Sequence, residues 1–249
     1  MLGVLPILAA LLIGAIGPMP AAASDIAEST IEFHISTNLP VICVKDNKLD
    51  CIAGKLVERA CDLSGLRYIF TDRPWKRAEE EISAKKGNTF FLVTGNAESN
   101  RSIDWFFPIY SDDVWLYSIT PFDIQAPSRP GIVGVRRGSP FDQIPGPYGS
   151  FALYALNDWQ SGVMMLKNHR LDAILATRLV IQANIDQSPL MRGEQGHHQV
   201  LGRMSWYIVR DADTPSSDVS ERFKQGLERA KAENWFADML ASYGPSPTL

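Results

Sequence analysis

Apolar and polar positions alternate from Ile31 to Thr37 (IEFHIST), the period of a half-buried strand, with His34 on its polar, surface side. Asn38-Leu39-Pro40 turns the chain at that strand's end, the first place where a ligand contact is expected. From Ala53 to Leu63 the apolar positions recur at helical spacing, and Gly65 supplies a left-handed stop. Leu66–Phe70 is again strand-like. Pro74 opens a second helix, with Trp75, Ala78 and Ile82 on one face and Glu79, Glu80 and Glu81 toward water. Gly87 ends it, and Phe90-Phe91-Leu92-Val93 is a continuously apolar run suited to a strand buried on both faces. This β-α-β-α order predicts a parallel sheet with right-handed crossovers.

At the end of the buried strand stand Thr94, Gly95 and Asn96, where open α/β sheets place their ligands. A polar loop leads into Asp104-Trp105-Phe106-Phe107-Pro108-Ile109-Tyr110. Val114–Ile119 is then an apolar strand, and Thr120–Pro130 a Pro-rich polar stretch. Gly131–Val135 begins a second strand system and runs into Arg137-Gly138-Ser139-Pro140. There Ser139 can cap a helix and Pro140 can occupy its first position, a helix start suited to an anion. Trp159–His169 reads as a helix and Arg170–Ala176 as a strand, with Thr177 and Arg178 at its C-terminal end. Leu201–Val209 is a return strand, and the adjacent His197-His198 is assigned to a surface loop. Asp218 with Glu221 resembles a capping box for a last helical region. Its apolar stripe (Val219, Phe223, Leu227, then Trp235, Met239, Tyr243) ends at Gly244-Pro245 and is expected to pack on the first lobe.

Composition narrows the class. Residues 1–23 are apolar and uncharged, ending in Ala21-Ala22-Ala23, which reads as a cleaved signal peptide and an exported, soluble chain starting near Ser24. The chain of 249 residues has a net charge of -4, which argues against nucleic acid or an anionic membrane as partner. Three cysteines are an odd number. Cys43 and Cys51 flank an Asp46-Asn47 turn and are expected to close a disulfide across a hairpin, leaving Cys61 a buried free thiol; a Cys51–Cys61 bridge is the alternative. The cysteine spacing matches no zinc pattern, so no metal or cofactor is expected.

The order "PW-x-RA" from Pro74, a strand ending in Thr94, and "DW-x-x-P-x-Y" from Asp104 to Tyr110 resembles the family 3 bacterial extracellular solute-binding proteins. The resemblance runs from about Ile31 to Tyr243. It implies the type II periplasmic binding protein fold, two α/β lobes joined by two hinge crossings. Residues 24–118 with 210–249 would form lobe 1 and residues 119–209 lobe 2, with Val114–Ile119 and Trp206–Val209 as crossings. It further implies a periplasmic monomer without cofactor that captures a small polar ligand for an ABC transporter permease or a membrane sensor.

Of the family's amino-acid clamp, Thr94 keeps the strand-end hydroxyl and Trp75 the aromatic at the helix start. Counted back from Asp104 without gaps, Ser99 stands where the family has the arginine that holds the ligand carboxylate. Thr177 stands where it has the aspartate that holds the ammonium. Both charged partners of a zwitterion are therefore missing from their places, and an ordinary α-amino acid is not the expected ligand. A neutral or singly anionic ligand is expected instead, held by Asn38, Trp75, Thr94, Gly95, Gly138, Ser139 and Thr177, with Arg101, Arg137 or Arg178 supplying positive charge. A fold-retaining accessory protein, or a dehydratase or lytic enzyme using Glu98 or Asp113, are the alternatives.

Overall fold

The computed structural model describes residues 29–82, 84, 87–95, 102–122, 131–143 and 151–244. The expected signal peptide, Glu98, Ser99 and Arg101 lie outside the described residues. In chain order the elements are β1 (Thr30–Ile35), a hairpin of β2 (Cys43–Lys45) and β3 (Lys48–Asp50), α1 (Cys51–Ser64), β4 (Arg67–Asp72), α2 (Trp75–Ile82), β5 (Thr89–Gly95) and β6 (Ile103–Ser118). They continue with β7 (Gly131–Arg136), β8 (Phe151–Leu156), α3 (Trp159–Lys167), β9 (Ala173–Thr177), α4 (Arg178–Asp186), β10 (His197–Asp211), α5 (Asp218–Ala232) and α6 (Asn234–Ser242).

The strands are ordered β4-β1-β5-β10-β6-β9-β7-β8. β1 pairs in parallel with both β4 and β5, and β7 in parallel with both β8 and β9. Each half thus starts on a central strand, steps to one side, then crosses to the other. That reversal opens a crevice beyond the C-terminal end of the central strand. The two crevices belong to the two lobes, and β6 and β10 serve both. β10 adds Ser205–Val209 antiparallel to β5, while β6 adds Val114–Tyr117 antiparallel to β9. The strands pass from one lobe to the other near Ser111 and Ser205, whose hydroxyls meet at 2.6 Å. A bulge between Val200 and Gly202 interrupts the ladder beside that point.

The cores follow the apolar pattern. Ile31, Phe33 and Ile35 of β1 and Phe90 of β5 pack with Ile52, Leu56 and Ala60 of α1 and with Phe223 and Leu227 of α5. Val133 and Val135 of β7 pack with Leu175 of β9 and Phe141 in a separate cluster. The last helices do pack on the first lobe. A Cβ at Gly226 of α5 would collide with the Ser64 hydroxyl and the Ala60 carbonyl of α1. Arg59 of α1 forks onto the Glu233 carboxylate, Nη2 to Oε1 at 2.6 Å and Nε to Oε2 at 2.8 Å. Cys43 and Cys51 are bonded, and the hairpin turns through Asp46 and Asn47 at φ 50° and 58°, where their short polar side chains are tolerated. Cys61 is free and buried, and burial pushes its thiol up to about 12.

Several sequence readings are corrected. His34 is not at the surface but 1% exposed. The face of β1 that carries it lies under α2, and Phe91 of the neighbouring strand β5 flanks it. Its Nε2 lies 2.8 Å from Glu32, its Nδ1 3.5 Å from Glu81, and its ring 4.9 Å from Phe91. Asp104–Tyr110 and Val114–Ser118 form one continuous strand. Pro108 is accommodated because this half of β6 pairs with β10 alone, across a register shift. His197 and His198 belong to β10 rather than a loop, with His198 stacked on Trp115 at 3.9 Å. The capping box starts one residue earlier, with Ser217 and Ser220 exchanging side-chain and backbone bonds. Ser139-Pro140 opens a single 3₁₀ turn, Pro140–Gln143, whose start the Ser139 hydroxyl does not cap.

Candidate functional site

A cavity of about 550 Å³ lies between the C-terminal ends of the two sets of parallel strands. From the first lobe, the segment after β1 contributes Ser36, Thr37 and Asn38, β4 contributes Asp72 with Arg73 and Pro74 after it, β5 contributes Leu92 and Thr94, and β10 contributes Trp206. The segment after β7 brings Arg136 through Phe141, that after β8 brings Asn157 and Trp159, and β9 with α4 brings Ala176, Thr177 and Val180. The wall is therefore the pair of crevices that the strand orders predict, set face to face.

Local geometry fixes each group. Asp72 accepts the Thr37 N–H at 3.2 Å and the Thr37 hydroxyl at 2.6 Å, closing the loop after β1. The Arg73 N–H donates to the Ile35 carbonyl at 2.8 Å, and its Nη1 donates to Glu81 at 2.8 Å. The Thr94 hydroxyl donates to the Ser205 carbonyl at 3.3 Å. On the other side, Gly138 takes φ 71°, a left-handed turn that lets the Ser139 N–H reach the Arg136 carbonyl at 3.0 Å. Arg137 Nε donates to Asn157 at 3.0 Å. Asp158 caps α3, and the Ser161 N–H and hydroxyl hold its carboxyl below the usual range. That cap sets Trp159, whose indole N–H donates to the Asn38 side-chain oxygen at 3.2 Å, a direct bond between the lobes across the cavity.

Four side chains of the wall carry a buried polar atom with no hydrogen-bond partner: Arg73 Nε, Ser139 Oγ, Thr177 Oγ1 and Trp206 Nε1. Each such atom costs on the order of 1–3 kcal/mol when unpaired, so a bound group that pairs with it is favoured. The wall carries Arg73, Arg136 and Arg137 against one carboxylate among its described residues, Asp72, and Arg73 is in addition ion-paired with Glu81 behind the wall.

The structure brings together Asn38, Thr94, Arg137, Gly138, Ser139 and Thr177 of the residues expected from sequence. Two expected residues stand apart from the cavity wall. Gly95 lies beneath Trp105, where an added Cβ would come within 2.9 Å of the ring. Arg178 is the first residue of α4 and turns into the protein, 4% exposed, where Nη1 donates to Gln182 at 2.7 Å and to the Tyr243 carbonyl at 2.6 Å. Its Nε lies 3.5 Å from Asp112, so its charge is already matched inside the fold. Trp75 opens α2, but its side chain lies outside the described part, as does Arg101. Sequence reasoning missed Asp72, Arg73, Arg136, Asn157, Trp159 and Trp206. All but Trp206 lie at or just after the ends of strands or begin the helix that follows, which is the signal that could have found them.

No family model matches the sequence, and no curated protein matches it. Solved structures match over nearly their whole length. An amino-acid ABC transporter substrate-binding protein of Streptococcus pneumoniae bound to L-arginine is 13% identical with a TM-score of 0.67, covering 88% of this chain and 97% of its own. A periplasmic binding protein of Salmonella typhimurium with high arginine specificity is 15% identical with a TM-score of 0.66, covering 86% and 98%. The GluR0 ligand-binding core of Nostoc punctiforme in complex with L-glutamate is 15% identical with a TM-score of 0.67, covering 86% and 99%. These structures are binding proteins or ligand-binding cores, and the likeness agrees with the resemblance carried by the "PW-x-RA" and "DW-x-x-P-x-Y" segments. The chain has the two-lobed fold of the periplasmic amino-acid-binding proteins.

Proposed function

We propose that the chain is a periplasmic solute-binding protein that captures a small polar molecule by hinge closure and delivers it to an ABC transporter permease. The observation that carries this reading is the interlobe cavity, walled by strand ends of both lobes and bridged by the Asn38–Trp159 bond. Two antiparallel strands, β6 and β10, connect the lobes, so a small rotation near Ser111 and Ser205 opens the cavity without unfolding either core. A ligand that touches both walls favours the closed arrangement by its differential affinity for that state. The solved structures of the same fold, described as substrate-binding proteins and ligand-binding cores, support the reading, as does the signal-peptide pattern of residues 1–23.

The test is capture. Protein stripped of ligand by reversible unfolding is equilibrated with a small-molecule extract, re-isolated, and its bound compound identified by mass spectrometry. One compound returned unchanged near one per chain is the expected result. In the same assay Trp159→Phe should retain less of it, since losing one neutral hydrogen bond costs about 0.5–1.5 kcal/mol. A compound consumed and replaced by a product, or none retained, contradicts the proposal.

A further inference from the structure

We infer that the captured molecule is an organic acid with no ammonium group, and that Arg73 is the residue that grips its carboxylate. The inference rests on the solute-binding reading and specifies the chemistry of that same site.

The wall asks for acceptors. Arg73 Nε and Trp206 Nε1, on the first lobe, can only donate, and both are buried without a partner. Across the cavity the Ser139 and Thr177 hydroxyls are also unpartnered, and Thr177 is 2% exposed. An ammonium brings donors alone and cannot pair with Arg73 or Trp206; the Ser139 and Thr177 hydroxyls can accept from it but carry no charge to neutralise it. A carboxylate or a carbonyl satisfies them.

The charge balance points the same way. Asp72 is the carboxylate of the described wall, and its two oxygens already accept from Thr37. Nothing else described on the wall would neutralise an ammonium, and a charge enclosed without a partner is expensive.

Among the three arginines of the wall, Arg73 is the one fixed for a two-point contact. Its backbone is tied to Ile35 and its Nη1 to Glu81 Oε1. Glu81 lies beside the buried His34, 3.5 Å from its Nδ1, while the other ring nitrogen of His34 lies 2.8 Å from Glu32. With Nη1 taken, the Nε–Nη2 edge remains, and its spacing matches the two oxygens of a carboxylate. Arg137 is exposed with its Nε already on Asn157, which places it at the rim. The rest of the wall, including Leu92, Phe141, Val180 and Trp159, suits an apolar body behind the acid group.

Matched pairs isolate the ammonium. Ligand-stripped wild-type protein is titrated calorimetrically with phenylalanine and phenylpyruvate, with leucine and 4-methyl-2-oxopentanoate, and with glutamate and 2-oxoglutarate. The expected result is that, in at least one pair, the oxo acid binds at least tenfold tighter than its amino acid. Arg73→Lys, which keeps the charge but not the fork, should weaken that binding about tenfold or more, while replacing an exposed arginine that is not on the cavity wall, Arg192→Ala, changes it less than threefold. Amino acids that bind as tightly as their oxo acids overturn the class, and wild-type affinity in Arg73→Lys overturns the role of Arg73. The wild-type arm needs no variant to fold. If no pair binds, the compound captured from extract decides: an acid without an amine supports the inference, and a zwitterion overturns it while leaving the solute-binding reading intact. Capture of nothing overturns both.

Discussion

Replacing Thr177 with valine is expected to stabilise the ligand-free protein by about 1–3 kcal/mol and, in the same variant, to weaken ligand binding. The two opposite signs come from one atom. Thr177 is 2% exposed, and its hydroxyl has no hydrogen-bond partner. Although it stands at the N-cap of α4, it makes no side-chain cap bond; Asp112 accepts the Leu179 N–H at 2.8 Å instead. Valine therefore loses no cap, suits the extended backbone at φ -67° and ψ 149°, and removes an unpaired polar atom from the interior. In a chain of this size 1 kcal/mol moves the melting temperature by about 2–4 °C, which thermal unfolding of stripped protein resolves. Calorimetry with the captured compound should show the matching loss of affinity. A valine variant that melts lower without ligand, or binds like wild type, would show that the hydroxyl has another role.

Asp112→Ala should be among the most destabilising single changes at the hinge, by about 3–5 kcal/mol. Asp112 is fully buried where β6 passes between the lobes. One of its oxygens caps α4 through Leu179, and the other lies 3.5 Å from Arg178 Nε. Its removal leaves the Arg178 guanidinium, 4% exposed, without a carboxylate, and uncaps the helix in the same step. Asp112→Asn keeps an oxygen for the Leu179 N–H and should cost less than alanine. Asp112→Leu combined with Arg178→Met should recover most of the loss, because the pair is removed together. Denaturant unfolding of the three variants, with wild type as reference, orders them. Equal stability of Asp112→Ala and wild type would contradict the ion pair's place in the hinge.

The regular elements were legible where one periodicity ran through a segment. The β1 alternation, the α1 stripe, the Asp46-Asn47 hairpin and the doubly buried β5 each follow from local pattern. The long strands were less so, because their halves serve different lobes. β6 contains Pro108 in the half with one neighbour, which divided it in sequence into an aromatic segment and a separate strand. The placement of His34 depends on α2, a helix about forty residues later in sequence, and no spacing around His34 records that cover.

At the site, Thr177 and Arg178 are neighbours in sequence yet diverge in space. The chain changes from strand to helix between them, so Thr177 faces the cavity and Arg178 turns toward Asp112. The neutral Ser99 and Thr177, at the places where the resembling family carries its charged clamp, could be read from the sequence. Nothing in the sequence pointed to Arg73, because its bond to Glu81 and its place after β4 reach the cavity only through the fold.

Capture by closure is tested most directly by small-angle X-ray scattering of the ligand-stripped protein, before and after addition of the compound identified in the capture experiment. The account predicts a smaller radius of gyration at saturation and, at low ligand, a two-state mixture that follows occupancy. Superimposable scattering curves at full occupancy would contradict it.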